Sequence, residues 1–190
     1  WVGDNQYRIS VKLIGRASSF LHTKVKVGDR ITVQKPAGDF VYVPPNSAEE
    51  DAPTLVLLSA GIGVTPMLSM LHEFVNSAPF KGKEAIWIYG ARSHSDHVFK
   101  QEVIELKERS PKGSVSTHVF YSQNDDKQKE VEGYDSVHEG RVTVDEVLKL
   151  VPNVKKAVFY MCGPGAFLAD LEDGLLRAGA DSQSVRSETF

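Results

Sequence analysis

A single cysteine, Cys162, stands among 190 residues, which excludes an internal disulfide and any iron–sulfur cluster ligated by cysteines of this chain. Such sparing use fits a reducing compartment, and a cytoplasmic location is the expectation. Apolar runs are short as well. None approaches the roughly 20 residues of a membrane span, and no charged-then-apolar leader opens the chain, so a soluble protein is expected. Nor does one sign of charge dominate: 22 Lys and Arg face 25 Asp and Glu, and the net charge of −3 is spread without a basic stripe. That balance argues against a nucleic-acid partner held by counterion release. An initial methionine is also lacking. The chain begins at Trp1 and enters a strand pattern by Tyr7, as a piece of a longer polypeptide would.

What is present is the composition of a folded domain. At 41% hydrophobic and 25% charged residues the chain carries no disordered or fibrous bias, and its length suits one full core with a small companion. Tyr7, Ile9, Val11 and Leu13 alternate with Arg8, Ser10 and Lys12, the pattern of a half-buried antiparallel strand. Turns at Gly28–Asp29 and Ala37–Asp39 flank a second short strand over Ile31–Lys35, and Phe40–Val43 reads as a third. The polar, proline-bearing stretch Pro44–Pro53 then marks a boundary, with part of one domain over residues 1–48 and a second domain over 54–190.

Beyond the boundary the texture changes. Leu55–Leu58 is a continuous apolar run, as expected of a strand buried on both faces of a parallel sheet. Met67, Leu68, Met70, Leu71, Phe74 and Val75 follow at helical spacing, with Thr65 predicted as N-cap and Pro66 as first helical residue. Strands over Ala85–Tyr89, Ser114–Tyr121, Ala157–Met161 and Val185–Phe190 alternate with helices over Val98–Lys107, from Thr143 to Leu150, and from Pro164 to a stop at Gly179. Such alternation predicts an α/β fold, a doubly wound parallel sheet built from βαβ crossovers. Gln123–Glu132, charged and without apolar periodicity, reads as a solvated insertion.

Three strand ends carry the chemistry. Gly61–Ile62–Gly63–Val64–Thr65–Pro66 lies where a buried strand hands over to a helix. There glycines let backbone approach a pyrophosphate and the helix N-terminus attracts it. The general dinucleotide fingerprint fails on its details: Pro66 replaces the third glycine, and no acidic residue closes the next strand to hold a ribose hydroxyl. A plain tight turn is the competing account. At the next strand end, Arg92 and Ser93 suit a cofactor phosphate, though an exposed loop arginine needs no ligand. Cys162–Gly163–Pro164 ends a further strand, where Cys162 is either a small buried hydrophobe or a ligand-facing group.

Taken in order, Tyr7–Lys12, Ser18 with Leu21 and His22, Val27–Asp29, Pro36–Phe40, Ser59–Met67, Gly90–Arg92, Cys162–Pro164 and Glu188–Phe190 resemble the reductase part of flavohaemoglobins, within the ferredoxin reductase superfamily. That resemblance implies an antiparallel β-barrel that binds FAD, represented in part by residues 1–48, before a nicotinamide-binding α/β domain. It implies that Gly61, Ile62, Gly63, Val64, Thr65 and Pro66 hold NAD(P)H, with Cys162, Gly163 and Pro164 beside the nicotinamide. Ser18 resembles a serine that bonds the FAD pyrophosphate, with a helix cap as its alternative role. Phe190 resembles an aromatic residue against the isoalloxazine, and Glu188 an acidic residue near the flavin. The family's Arg-x-Tyr-Ser flavin signature, due on a strand before Tyr7, is absent from this sequence.

The implied activity is flavin-dependent NAD(P)H oxidoreduction: hydride passes from nicotinamide to FAD and electrons pass on to an acceptor such as a globin haem domain, as in nitric oxide dioxygenation. Thr65, Cys162 and Glu188 would position the reacting groups. A reductase of the cytochrome b5 or oxygenase type is the alternative within the enzymes, and a non-catalytic dinucleotide-binding module the alternative outside them. Arg92 and Ser93, with no acidic residue at the strand end, lean the cofactor preference toward NADPH.

Overall fold

A computed structural model of the chain describes residues 6–44, 52–77, 84–123 and 131–189. Two compact units emerge, Trp1–Asp39 and Phe40–Phe190. Phe190, residues 45–51 of the boundary stretch and residues 124–130 of the charged insertion lie outside the described residues.

The first unit corrects the expected partial barrel. Among its described residues the regular element is helix α1, Arg16–Thr23, and Tyr7–Leu13 and Ile31–Lys35 run without ladder pairing. The reason lies in the alternation itself. Tyr7, Ile9 and Leu13 are 72%, 63% and 59% exposed, so the face that should pack on a sheet is uncovered. A strand without hydrogen-bonded neighbours does not hold as a strand. Phe40–Val43 is likewise no strand; Phe40 and Tyr42 instead pack their rings on Tyr160, 5.8 and 6.0 Å away, and the Tyr160 hydroxyl donates to the Val41 carbonyl.

The second unit is the α/β fold read from the sequence. Its strands are β1 (Thr54–Ala60), β2 (Ala85–Ala91), β3 (Val115–Tyr121), β4 (Ser136–Glu139), β5 (Ala157–Gly163) and β6 (Val185–Thr189). They form one parallel sheet in the order β4-β3-β2-β1-β5-β6. The helices are α2 (Val64–Asn76), α3 (Lys100–Arg109), α4 (Val144–Leu150) and α5 (Gly165–Arg177). Period-two alternation divides each strand between two cores. Leu55 and Leu57 of β1 and Trp87 and Tyr89 of β2 join α2 and α3, whereas Val56, Leu58, Ile86 and Ile88 join α4 and α5. Burying both faces explains why the central strands are apolar without interruption. The chain winds outward from β1 through β2, then returns to place β5 on β1's other side. The carboxyl ends of β1 and β5 therefore flank the switch point where α/β sheets take ligands.

Element boundaries shift from the sequence expectation for identifiable reasons. Helix α3 begins at Lys100, not Val98, because a 3-10 turn at His94–Asp96 and a left-handed Phe99 (φ 59°) occupy the approach. Helix α4 keeps its predicted start: the Thr143 hydroxyl accepts from the Glu146 N–H at 3.4 Å. Helix α5 begins at Gly165, leaving Pro164 as the residue before it. Mid-helix Gly174 has a packing cause. A Cβ there would come within 2.7 Å of Val144 Cγ1 on α4, so glycine lets the two helices meet.

Edge strand β4 escapes the sequence because Ser-Val-His-Glu has no strand signature. Polar side chains pin it instead. Asp135 Oδ2 accepts from the Thr117 N–H at 2.7 Å and pairs with Lys107, and Ser136 Oγ lies 2.6 Å from both His118 Nδ1 and His138 Nε2. His138 stacks on Phe120 at 4.3 Å. Burial, opposed by the Asp135 carboxylate and helped by His138 and Lys107, pushes the His118 imidazole down to about 4.

Two stability outcomes follow from this packing. Gly174→Ala should gain helix propensity yet lose about 1–3 kcal/mol net to overpacking against the stiff Val144 side chain, read as a lower urea midpoint. A raised midpoint would mean that α4 and α5 separate without cost. Because His118 has a lower pKa folded than unfolded, the unfolded chain binds the extra proton, and stability present above pH 6.5 is lost as pH falls toward 4. The urea midpoint should therefore drop between pH 7 and 4.5, and His118→Gln should lessen that drop, with His97, lowered by burial to about 4 as well, keeping the remainder; an equal drop in the variant would exclude His118 as a source.

Candidate functional site

The turn after β1 divides labour between two glycines. Gly61 has φ 58° and open space around it, so it supplies the left-handed step that reverses the chain. Gly63 is buried with φ −59°, and its need is spatial: a Cβ would collide with the Cys162 carbonyl oxygen and stand 2.5 Å from its carbon. A 3-10 turn over Gly61–Gly63 runs directly into α2, and the Val64 N–H bonds the carbonyls of Gly61 and Ile62. The positive end of the helical run thus sits at the glycines, with no acidic residue in the first turn of α2 to offset it.

This corrects the predicted helix start. Gly63, not Thr65, occupies the cap position, and Thr65 and Pro66 fall inside the first turn. The Thr65 hydroxyl donates to the Ile62 carbonyl at 3.1 Å and closes the turn from within. Proline is tolerated there because first-turn N–H groups have no helical acceptor.

From β5, Cys162 and Gly163 come to the same sheet edge, and both lie within the strand. Cys162 pairs in register with Ser59 on one side and Glu188 on the other. Burial first, then the Glu188 carboxylate, pushes its thiol up to about 11, so the group stays protonated and is no thiolate nucleophile. At Gly163 a Cβ would approach Phe167 Cδ1 at 2.9 Å and Ala60 Cβ at 3.3 Å, which closes β5 onto both the β1 turn and α5. Pro164 and Glu188 are exposed.

One residue of this edge was not singled out from sequence. The Ser59 hydroxyl is buried without a hydrogen-bond partner among the described residues, one position before the strand ends. A lone serine closing an apolar strand was the available signal, since a buried hydroxyl needs a partner from protein, water or ligand.

The loop after β2 lies beside the β1 turn, because β1 and β2 are neighbours. Arg92 is 70% exposed, and its guanidinium donates to Asp96 Oδ1 at 3.2 Å. Ser93 Oγ donates to Asp96 Oδ2 at 2.9 Å. Hydrogen bonding from Ser93, then Arg92, holds the Asp96 carboxyl below its usual range. An acidic residue therefore does follow β2, five positions beyond the strand, too far along for the fingerprint spacing to reveal it.

Ser18 belongs to the first unit. It lies in the first turn of α1, and its Oγ accepts from the Gly15 and Ile14 N–H groups at 2.9 and 3.0 Å while donating to the Gly15 carbonyl. Its hydroxyl is thus engaged with its own helix start.

Known proteins fit this architecture. The flavohemoprotein of Bacillus subtilis (strain 168) is 33% identical over 188 residues, covering 99% of this chain and 44% of the relative. The chain thus spans less than half the length of such curated relatives. Among solved structures, the flavohem-like FAD/NAD binding domain of nitric oxide dioxygenase from Vibrio cholerae O1 biovar El Tor aligns with a TM-score of 0.74 at 30% identity, covering 93% of this chain and 65% of that one. The cytochrome b5 reductase domain of Ulva prolifera nitrate reductase, at 20% identity and a TM-score of 0.72 over 92% of this chain and 64% of that one, shares the fold. The model of the oxidoreductase NAD-binding domain matches residues 57–173, from inside β1 into α5. With that match spanning more than half its length and both glycine-lined strand ends, the chain belongs to the oxidoreductase NAD-binding domain family.

Proposed function

We propose that this chain is the reductase part of a flavin-dependent NAD(P)H oxidoreductase of the flavohaemoglobin kind, with residues 54–190 binding the nicotinamide dinucleotide and residues 1–48 contributing to flavin binding. The observation that carries the reading is the closure of the β1 turn on the β5 carbonyl at the switch point. At one edge stand the open Gly61, the start of the helical run and the Ser59 hydroxyl, unpartnered among the described residues.

A dinucleotide fits these groups. Gly61, Ile62, Gly63 and Val64 would hold the pyrophosphate through backbone, while Thr65 and Pro66 keep that backbone in place. Cys162, Gly163 and Pro164 would shape the nicotinamide pocket, where the protonated thiol excludes water and adds no charge. Glu188, beside Cys162 in register, would set the local field. The fit to FAD is narrower. Ser18, Glu188 and Phe190 are the residues offered to it, and the Ser18 hydroxyl would have to leave its helix start. The chemistry supplied by the bound cofactors is hydride donation from nicotinamide C4 to flavin N5 and electron release to an acceptor. The proposed acceptor is a globin haem, in keeping with the flavohemoprotein relatives, and nitric oxide dioxygenation is the proposed activity of the whole protein.

The decisive test is the absorbance spectrum of the purified chain with FAD, before and after anaerobic NADH or NADPH. A retained yellow flavin bleached by either nucleotide is expected. Nucleotide binding without flavin retention would reduce the reading to a nicotinamide-binding domain. Arg92 and Ser93, released from Asp96, would take up a 2′-phosphate, so Arg92→Ala should weaken NADP⁺ by roughly tenfold, the scale of one charge-assisted contact, and NAD⁺ far less. Equal loss for both nucleotides would remove Arg92 from phosphate recognition.

A further inference from the structure

The loop that carries Arg92 and Ser93 is strained and yet fixed. It ends in Phe99, a bulky residue held at φ 59°, a conformation that costs free energy and persists only when the surroundings impose it. The side chains of Arg92, Ser93 and Ser95 bond within the loop, to Asp96 and to one another, and among the described residues backbone ties the loop only at its start, where the Arg92 carbonyl accepts from the Gln123 N–H at 2.7 Å. His97 reaches out of it. Its Nδ1 lies 2.7 Å from the Tyr121 hydroxyl at the end of β3, and its Nε2 lies 3.0 Å from the Tyr134 hydroxyl just before β4. The ring packs edge-on to Tyr134 at 5.0 Å and lies 5.4 Å from Tyr89, whose hydroxyl donates to the Asp96 carbonyl. Tyr121 and Tyr89 are both pushed up to about 12, Tyr121 by burial and Tyr89 by burial and then the Asp96 carboxylate; burial also raises Tyr134, so the hydroxyls remain protonated. Burial, with Lys100 and His94 adding to it, pushes the His97 imidazole down to about 4. A neutral imidazole has one donor and one acceptor nitrogen, which matches two tyrosine hydroxyls, one accepting and one donating.

We infer that His97 is a positioning residue for nucleotide selectivity: by bridging Tyr121 and Tyr134 it fixes the loop that holds Arg92 and Ser93 where a 2′-phosphate would be met. The inference rests on the proposed role of Arg92 and adds to it a cause for that side chain's placement. It also separates His97 from an ordinary core residue. Loss of mere packing lowers stability and weakens both nucleotides alike, whereas loss of loop placement acts on the phosphate contact alone.

The test is a set of dissociation constants for NADP⁺ and NAD⁺, measured by titration calorimetry on the full chain and on Arg92→Ala, His97→Leu, His97→Gln and the Arg92→Ala/His97→Leu double variant. His97→Leu should weaken NADP⁺ by roughly tenfold and NAD⁺ by less than about twofold, and the double variant should bind NADP⁺ more tightly than the product of the two single losses predicts, because both changes remove the Arg92 contact. His97→Gln, which keeps one donor and one acceptor, should recover most of the NADP⁺ affinity. If Arg92→Ala is selective but His97→Leu weakens both nucleotides equally, or neither, the inference is overturned while the Arg92 reading stands. If Arg92→Ala is itself unselective, both fall together. Should His97→Leu fail to fold, Tyr134→Phe deletes one end of the bridge and decides the matter by the same criterion: selective loss of NADP⁺ supports it, equal change overturns it.

Discussion

The missing Cβ of Gly63 is what allows the turn after β1 to rest against the carbonyl of Cys162, and several other placements depend on that contact. With the turn seated there, Ala60 reaches the backbone of Gly163, and Phe167 closes over the same glycine from α5. Two strand ends and the starts of two helices are thereby brought to one edge of the sheet. A side chain at Gly63 would meet backbone, which cannot swing aside as a flexible side chain does, so the turn or β5 itself would have to shift. Such a shift would move the helical N-terminus away from the Cys162–Pro164 strand end. Stability and binding geometry are coupled at this position by the same contact.

Around that edge, burial strips charge from most titratable groups. Cys162 is held near 11, His97 near 4 and Tyr89 and Tyr121 near 12, and in each the largest cause is desolvation. All four are therefore neutral at physiological pH, and they act through shape and hydrogen bonding. The charges that persist there, Arg92, Asp96 and Glu188, stand at or near the surface. An approaching anionic ligand would meet the helical N-terminus and the Arg92 guanidinium, but the latter only in competition with Asp96. Under the proposed role of Arg92, nucleotide choice would be set by exchange between an internal carboxylate and an external phosphate, a difference of similar interactions that small displacements of the loop can tip.

The legible part of this fold was the part that burial writes into sequence. Leu55–Leu58 announces a strand covered on both faces, and Thr143 with Glu146 announces a helix start through a local hydrogen bond. What stayed hidden depends on contacts far apart in the chain. Edge strand β4 is polar and is held by His118 and Thr117 of its neighbour, so nothing in its own four residues declares it. Gly174 interrupts a helix for the sake of Val144, thirty positions earlier. The alternation of Tyr7–Leu13 misled in the opposite direction: it is a valid strand pattern, but a pattern sets only what a segment could pair with, and the apolar face is left exposed. At the site, residue types were legible and roles less so. Gly63 was read as making room for a ligand, whereas the space it frees is filled by the protein's own β5.

That reassignment also explains why the dinucleotide fingerprint fails here while its architecture survives. In the general motif the first glycine makes the turn and the third, about five positions on, lets helix pack against strand. Here Gly61 makes the turn and Gly63, two positions later, provides the close approach, with a 3-10 turn carrying the chain between them. Once close packing is satisfied at Gly63, the position of the third glycine has no such duty. Pro66 can stand there, half-buried in the first turn of α2, where its fixed φ suits the helix and its missing N–H deprives no helical acceptor. The shortened glycine spacing and the proline are two expressions of one geometric solution, in which the helical run begins early and its opening turn rests on the neighbouring strand.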